Sequence, residues 1–230
     1  MPNDAGDDQA VQRGPEASRS AQDPSQSAQD PSRSAQDRGA LVLVRHGQTE
    51  WSRDGRHTSR TDLPLTGHGE EQAAALAPVL GALGPVLVLT SPLQRTRRTA
   101  ELAGLPAKPD PDLTEWQYGD YEGLTTPQIH QDRPGWTIWT GDPPGGETAG
   151  QVGARADRVL AKAATALPSG PVVLVTHGHF GRVIAARYLG LPVDHGRLFA
   201  LEPAAPCLLG LEHEHPVIQH WNLPNPLDEQ

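Results

Sequence analysis

A single cysteine, Cys207, stands in 230 residues, so no internal disulfide can form. The residue six positions on is His213 rather than arginine, which excludes the Cys-x5-Arg arrangement of cysteine phosphatases and leaves Cys207 as an expected core residue. Long apolar runs are missing too. No stretch of about 18 apolar residues could span a bilayer, and no apolar run of roughly seven to fifteen residues follows a basic start, so a soluble, cytoplasmic protein is expected. Positive charge is scarce: Lys+Arg number 19 against 28 Asp+Glu, a net charge of −9. That balance disfavours nucleic acid or an anionic membrane as partner. Aromatics make up only 4% of the chain and are absent from residues 1–40.

In that aromatic-free stretch, Ser-Ala-Gln-Asp recurs at Ser20, Ser27 and Ser34. The repeat suggests a coiled coil, but alanine is the only apolar residue of each unit, and Pro24 and Pro31 interrupt any helix. Residues 1–39 are therefore read as a disordered tail, and residues 40–225 as one domain. Up to Ala40 there are seven acids and four arginines, a net of −3, which leaves −6 on residues 41–230.

From Leu41 onward, short apolar runs alternate with helical stretches. "LVLV" at 41–44, "VLVL" at 86–89 and "VVLV" at 172–175 are apolar at every position, as strands covered on both faces should be. Between them, "TGHGEEQAAALAPVLGAL" predicts a helix capped by Thr66 and kinked or broken at Pro78. "SPLQRTRRTAELAG" predicts one with Ser91 as N-cap and Pro92 in its first position. "GETAGQVGARADRVLAKAATAL" and "HFGRVIAARYLG" predict two more, and "APCLLGLEHEHPVIQHWN" a hairpin turning around Glu214 and Pro216. Such alternation implies an α/β fold with a mainly parallel sheet.

In an open parallel sheet, ligands bind beyond the carboxyl ends of the strands. Those ends read Arg45-His46-Gly47, Thr90-Ser91-Pro92 and Thr176-His177-Gly178. A lone histidine after a strand is ordinarily structural. Two at matching strand ends would meet at one rim, each followed by a glycine that permits close approach. Arg45 would point there too, and so would Arg95 near its helix N-terminus, where free N–H groups favour an anion. The cluster "RTRRT" at 95–99 otherwise reads as a solvated helix face. Two arginines and two histidines suit a small, multiply charged anion, and phosphate fits best.

The same residues can do chemistry. A neutral imidazole whose other nitrogen donates to a backbone carbonyl can attack phosphorus, giving a phosphohistidine that water later hydrolyses. The leaving alkoxide needs an acid. "LTEWQYGDYEG" offers Glu115, Asp120 and Glu122, which are ordinarily surface charges; Glu115, between Leu113 and Trp116, is the one expected to be desolvated. A metal hydrolase is the alternative, because "HGH" at 177–179 and "HEH" at 213–215 both space two imidazoles for one metal, but no matched Asp or Cys set accompanies them.

"LVLVRHGQTEW", "DLPLTGHGEEQA", "TSPLQRTRRTAELAG", "LTEWQYGDYEG" and "VTHGHFGRVI" together resemble the histidine phosphatase superfamily, the branch holding phosphoglycerate mutases and many phosphomonoesterases. The resemblance implies a three-layer fold with a mostly parallel sheet flanked by helices, and a reaction needing no metal or other cofactor. It implies His46 as the phosphorylated nucleophile, Arg45, Arg95 and His177 as the rest of the phosphate pocket, and Glu115 as proton donor. Substrate contacts are implied at Ser52, Thr58, Ser59, Gly178 and His179. Ser52 stands where the family commonly has Asn, and Ser59 where Gly is frequent, which bears on substrate geometry. Mutases carry a longer, basic insertion after the position of Gly123, whereas residues 123–147 here contain one arginine, Arg133, and no lysine. A phosphatase is therefore favoured over a mutase or a non-catalytic phospho-ligand binder, with a small phosphorylated metabolite as partner. The motifs resemble most those of sedoheptulose-1,7-bisphosphatase-like and broad-specificity acid phosphatases. Trp136 and Trp139 are expected either at the substrate mouth or in helix packing.

Deleting residues 1–38 is expected to leave kcat/KM unchanged, checked by assaying truncated and full-length chains side by side.

Overall fold

The computed structural model describes residues 39–227; the tail read from the sequence lies outside them. Six strands form one mixed sheet: β1 (Leu41–Arg45), β2 (Leu87–Thr90), β3 (Lys108–Pro109), β4 (Val172–Thr176), β5 (Pro206–Glu212) and β6 (His215–His220). Their order is β3-β2-β4-β1-β5-β6. The first four run parallel, and β5 and β6 add an antiparallel edge. β1 is thus central, as its unbroken apolar run requires.

Alternation of side chains across the pleat divides the core. Leu41, Leu43, Val172 and Leu174 face one side, where they pack with α6 (Ala149–Ala166) and α7 (Gly178–Tyr188). Val42, Val44, Val173 and Val175 face the other, against α2 (Gly67–Ala75), α3 (Ala77–Ala82) and α4 (Gln94–Leu102). The result is the three-layer sandwich. Two short helices, α1 (Glu50–Arg53) and α5 (Thr126–Asp132), lie in the connections near the carboxyl edge. Among the described residues, no helix is long and apolar enough to cross a membrane.

Pro78 breaks the helix where expected. It falls in the first turn of α3, where a missing N–H costs no hydrogen bond. α4 departs from expectation: Ser91 and Pro92 are not its first residues, because Leu93 is still extended and the helix starts at Gln94. The Gln94 N–H donates to Asp62 Oδ1 at 2.8 Å, so the cap comes from a distant loop. In the hairpin, the turn is His213-Glu214, both at positive φ, and Pro216 sits within β6 on the open edge of the sheet.

Gly47 was expected to let ligand and backbone approach closely, and the close approach is by backbone. A Cβ there would collide with Gly69 O, and one on Gly69 with Gln48 O, because α2 packs directly on the chain leaving β1. Gly69→Ala should gain about 1 kcal/mol of helix propensity yet lose more to this collision, since backbone cannot swing aside. The net expectation is a destabilisation of about 1–3 kcal/mol, read as a lower urea midpoint at unchanged slope.

Candidate active site

The parallel pairing of β1 with β4 sets Arg45 opposite Thr176. The next residues, His46 and His177, are therefore neighbours: the His46 N–H donates to Thr176 O at 2.9 Å, and the ring centroids lie 5.2 Å apart. Both imidazoles are buried.

His46 Nδ1 lies 2.7 Å from Gly47 O. A carbonyl can only accept, so Nδ1 carries the hydrogen and Nε2 keeps its lone pair. Burial, then the Arg95 and Arg45 cations, hold the His46 pKa well below the ordinary imidazole value. The ring is a neutral base. His177 has the opposite tautomer, because its Nδ1 accepts from Arg95 Nε at 3.2 Å and its Nε2 must then be the donor. That Nε2 is buried without a partner, as is Arg45 Nε. Two orphaned donors beside one nucleophile are matched by an oxyanion.

Arg95 is fully buried and does not line the cavity. Besides orienting His177, it ties down the connecting loop, donating to Thr61 O at 2.9 Å, Ser59 O at 3.2 Å and Thr58 O at 3.4 Å. Ser59 also lies off the cavity. Its N–H and hydroxyl both go to Glu122, so this second acid of the loop is a structural anchor.

Glu115 is 4% exposed and accepts three backbone N–H groups. Trp116 and Phe180 donate to Oε1 at 2.8 and 2.7 Å, and His179 to Oε2 at 2.9 Å. Burial raises its pKa above the ordinary carboxylate value, with those three donors pulling the other way. The carboxyl is thus rigidly aimed and easier to protonate than a surface glutamate.

A cavity of about 280 Å3 gathers Arg45, His46, Glu115, Ser52, Thr58, Gly178 and His179. Ser52 also completes a capping box with Thr49, the first turn of α1. Sequence reasoning missed other lining residues, among them Arg56, His57, Tyr118 and Arg182. Arg182 was detectable, since Gly178 and Arg182 are four apart on α7 and share a face. Tyr118 OH lies 2.6 Å from His179 Nδ1. Trp136 and Trp139 stand one layer back, Trp136 edge-on to His57 at 5.8 Å and Trp139 beneath the Arg182 guanidinium at 4.7 Å. In the first His-x-His pair the rings are engaged separately, His177 with Arg95 and His179 with Tyr118. Among the described residues, no group of three or more His, Cys, Asp or Glu is placed to hold a metal ion.

The family model of the histidine phosphatase superfamily (branch 1) matches residues 41–224. The chain belongs to this superfamily. Among its relatives, an acid phosphatase of Mycobacterium tuberculosis is 44% identical over 176 residues, 75% of this chain and 87% of that protein. The sedoheptulose 1,7-bisphosphatase of Saccharomyces cerevisiae is 35% identical, covering 66% of this chain and 68% of its own. A solved structure from a Mycobacterium tuberculosis open reading frame is 42% identical with a TM-score of 0.78, covering 81% of this chain and 98% of that one. The protein is accordingly a histidine phosphatase, a phosphoric monoester hydrolase by family.

The two shifts set a pH window for this histidine phosphatase. A lowered His46 pKa keeps the nucleophile unprotonated to lower pH, so the acid limb of kcat/KM moves down. A raised Glu115 pKa keeps the acid protonated to higher pH, so the basic limb moves up from the carboxylate range. A bell-shaped profile is expected from kcat/KM measured against pH, and Glu115→Gln should remove its basic limb.

Proposed function

We propose that this histidine phosphatase hydrolyses a small sugar phosphate or bisphosphate without a metal, through a phosphohistidine on His46 with Glu115 as general acid. The observation that carries the reading is the hydrogen bond from His46 Nδ1 to Gly47 O, which leaves Nε2 as an uncharged nucleophile beside the unpartnered donors of Arg45 and His177. His46 Nε2 attacks phosphorus, the P–O ester bond breaks, and Glu115 gives its proton to the departing alkoxide. Water then attacks the phosphoryl group, Glu115 takes up a proton, and the N–P bond breaks to release phosphate. Arg45 and His177 donate to the equatorial oxygens, while Arg95 supplies charge from behind. Acid–base assistance of this kind is worth roughly 10²–10⁴ in rate.

Arg56, His57 and Arg182 in the same cavity support a substrate with a second anionic group, consistent with a relative named for a bisphosphate. The single arginine in residues 123–147 supports hydrolysis over mutase-type transfer. The acidic net charge supports a small-molecule partner rather than nucleic acid. Residues 40–225 form the catalytic domain in this reading, and a cytoplasmic location belongs to it too.

His46→Ala should be inactive while retaining its melting transition, and denaturation during turnover should trap phosphate on His46. A panel of phosphomonoesters including sedoheptulose and fructose bisphosphates should release phosphate unaffected by a chelator. Loss with chelator and recovery with zinc would sink the metal-free reading; exchange of phosphoglycerate isomers without net phosphate release would point to a mutase.

A further inference from the structure

The mechanism needs Glu115 held still, yet the carboxyl sits at the end of an irregular segment. What fixes that segment is a side chain outside the cavity. Arg155, on α6, is buried and satisfies every N–H of its guanidinium. Nη1 donates to Asp112 O at 2.8 Å and Thr114 O at 2.5 Å, and Nη2 to Glu115 O at 3.3 Å. Nε and Nη2 also donate to the two carboxylate oxygens of Glu147, at 3.0 and 2.7 Å. The guanidinium plane stacks 4.0 Å from the centre of the Phe180 ring.

These contacts reach Glu115 from both ends. Arg155 holds its backbone carbonyl directly, and through Phe180 it packs on the residue whose N–H holds the carboxylate. Neighbouring cations on the same helix face, Arg158 and Lys162, pair with Asp110 and Asp112, but at 57% and 45% side-chain exposure they hold the segment weakly. Only the Arg155–Glu147 pair is shielded, with both side chains about a tenth exposed. A buried pair of this kind stabilises little relative to apolar residues of the same shape. Its distinctive product is geometry, three backbone carbonyls pinned in succession.

We infer that Arg155, anchored by Glu147, is the positioning residue of the general acid. The inference rests on the reading of Glu115 as that acid. Displacing the carboxyl would slow cleavage of an ester whose leaving alkoxide must be protonated, and would barely slow an ester whose leaving group departs as a stable anion.

The test compares kcat/KM for glycerol 1-phosphate, which needs the proton, and p-nitrophenyl phosphate, which does not. In the full-length Arg155→Met/Glu147→Gln double variant, where neither charge is left unpaired, the first should fall by about tenfold or more and the second by less than about threefold. The basic limb of the glycerol phosphate profile should shift with it, and Arg155→Lys should recover part of the loss. Equal loss on both substrates, or no loss on either, overturns the inference. Arg155→Lys alone carries the comparison if the double variant lacks a cooperative thermal transition. Glu115→Gln separates the two levels: if it discriminates between the substrates and the Arg155 variants do not, only the positioning role falls; if it does not discriminate, the general-acid reading falls and this inference with it.

Discussion

The alignment of β1 with β4, Arg45 opposite Thr176, is the constraint from which the site follows. Both strands are buried on both faces, so a slip by one residue would exchange the two halves of the core and is strongly disfavoured. Because the register is fixed by Leu and Val packing, the two histidines leave the sheet side by side without any contact of their own being needed. Neither ring is held by the other: His46 is set by Gly47 O and His177 by Arg95.

Burial then does the electrostatic work. An acidic chain keeps Arg45 and Arg95 at the carboxyl edge of its sheet, where their charges and the loss of water hold His46 and His177 neutral. A protonated His46 would have no lone pair to offer. The same desolvation that costs the arginines hydration therefore keeps the proposed nucleophile competent, and it pushes Glu115 in the opposite direction, toward its protonated form. One environment separates the two titrations in the sense that nucleophile and acid each require.

Legibility in the sequence followed the range of the interactions. The three buried parallel strands, their alternation with helices and the residues at their ends were readable because apolar runs and His-Gly pairs are local signals, whereas the two-residue β3 has no apolar run and was missed. The break at Pro78 was readable for the same reason. The start of α4 was not, since its cap is Asp62, some thirty residues earlier in the chain. Gly47 was read as a point of close approach, but nothing near it in sequence announces Gly69 as the backbone that approaches. Ser59 was placed with the substrate residues, and its tie to Glu122 spans 63 positions. Arg56 and His57 lie in an irregular loop without periodicity, so only the folded chain brings them to the cavity. Arg155 lies on the buried face of α6 with Val152, Ala156 and Val159, and the groups that satisfy it, Glu147 and the carbonyls of 112–115, carry no local pattern that would announce them.

The sequence suggested that the N-terminus of the helix carrying Arg95 would help to hold the anion, and the structure commits that terminus, like that of α7, to one of the protein's own carboxylates. The first turn of α4 is closed by Asp62, and the first turn of α7 donates the N–H groups of His179 and Phe180 to Glu115. Each helix dipole is thus matched by one of the protein's own carboxylates before any ligand arrives. For α7 the match serves the proposed mechanism, since the helix N-terminus fixes the Glu115 carboxyl rather than the phosphate. In the proposed mechanism, binding of the phosphoryl group is left to side chains, Arg45 and His177 foremost, whose unpartnered nitrogens are directional in a way that a dipole is not. Directional donors can follow charge onto the equatorial oxygens as the ester bond breaks, and that difference between ground state and transition state is where rate enhancement arises.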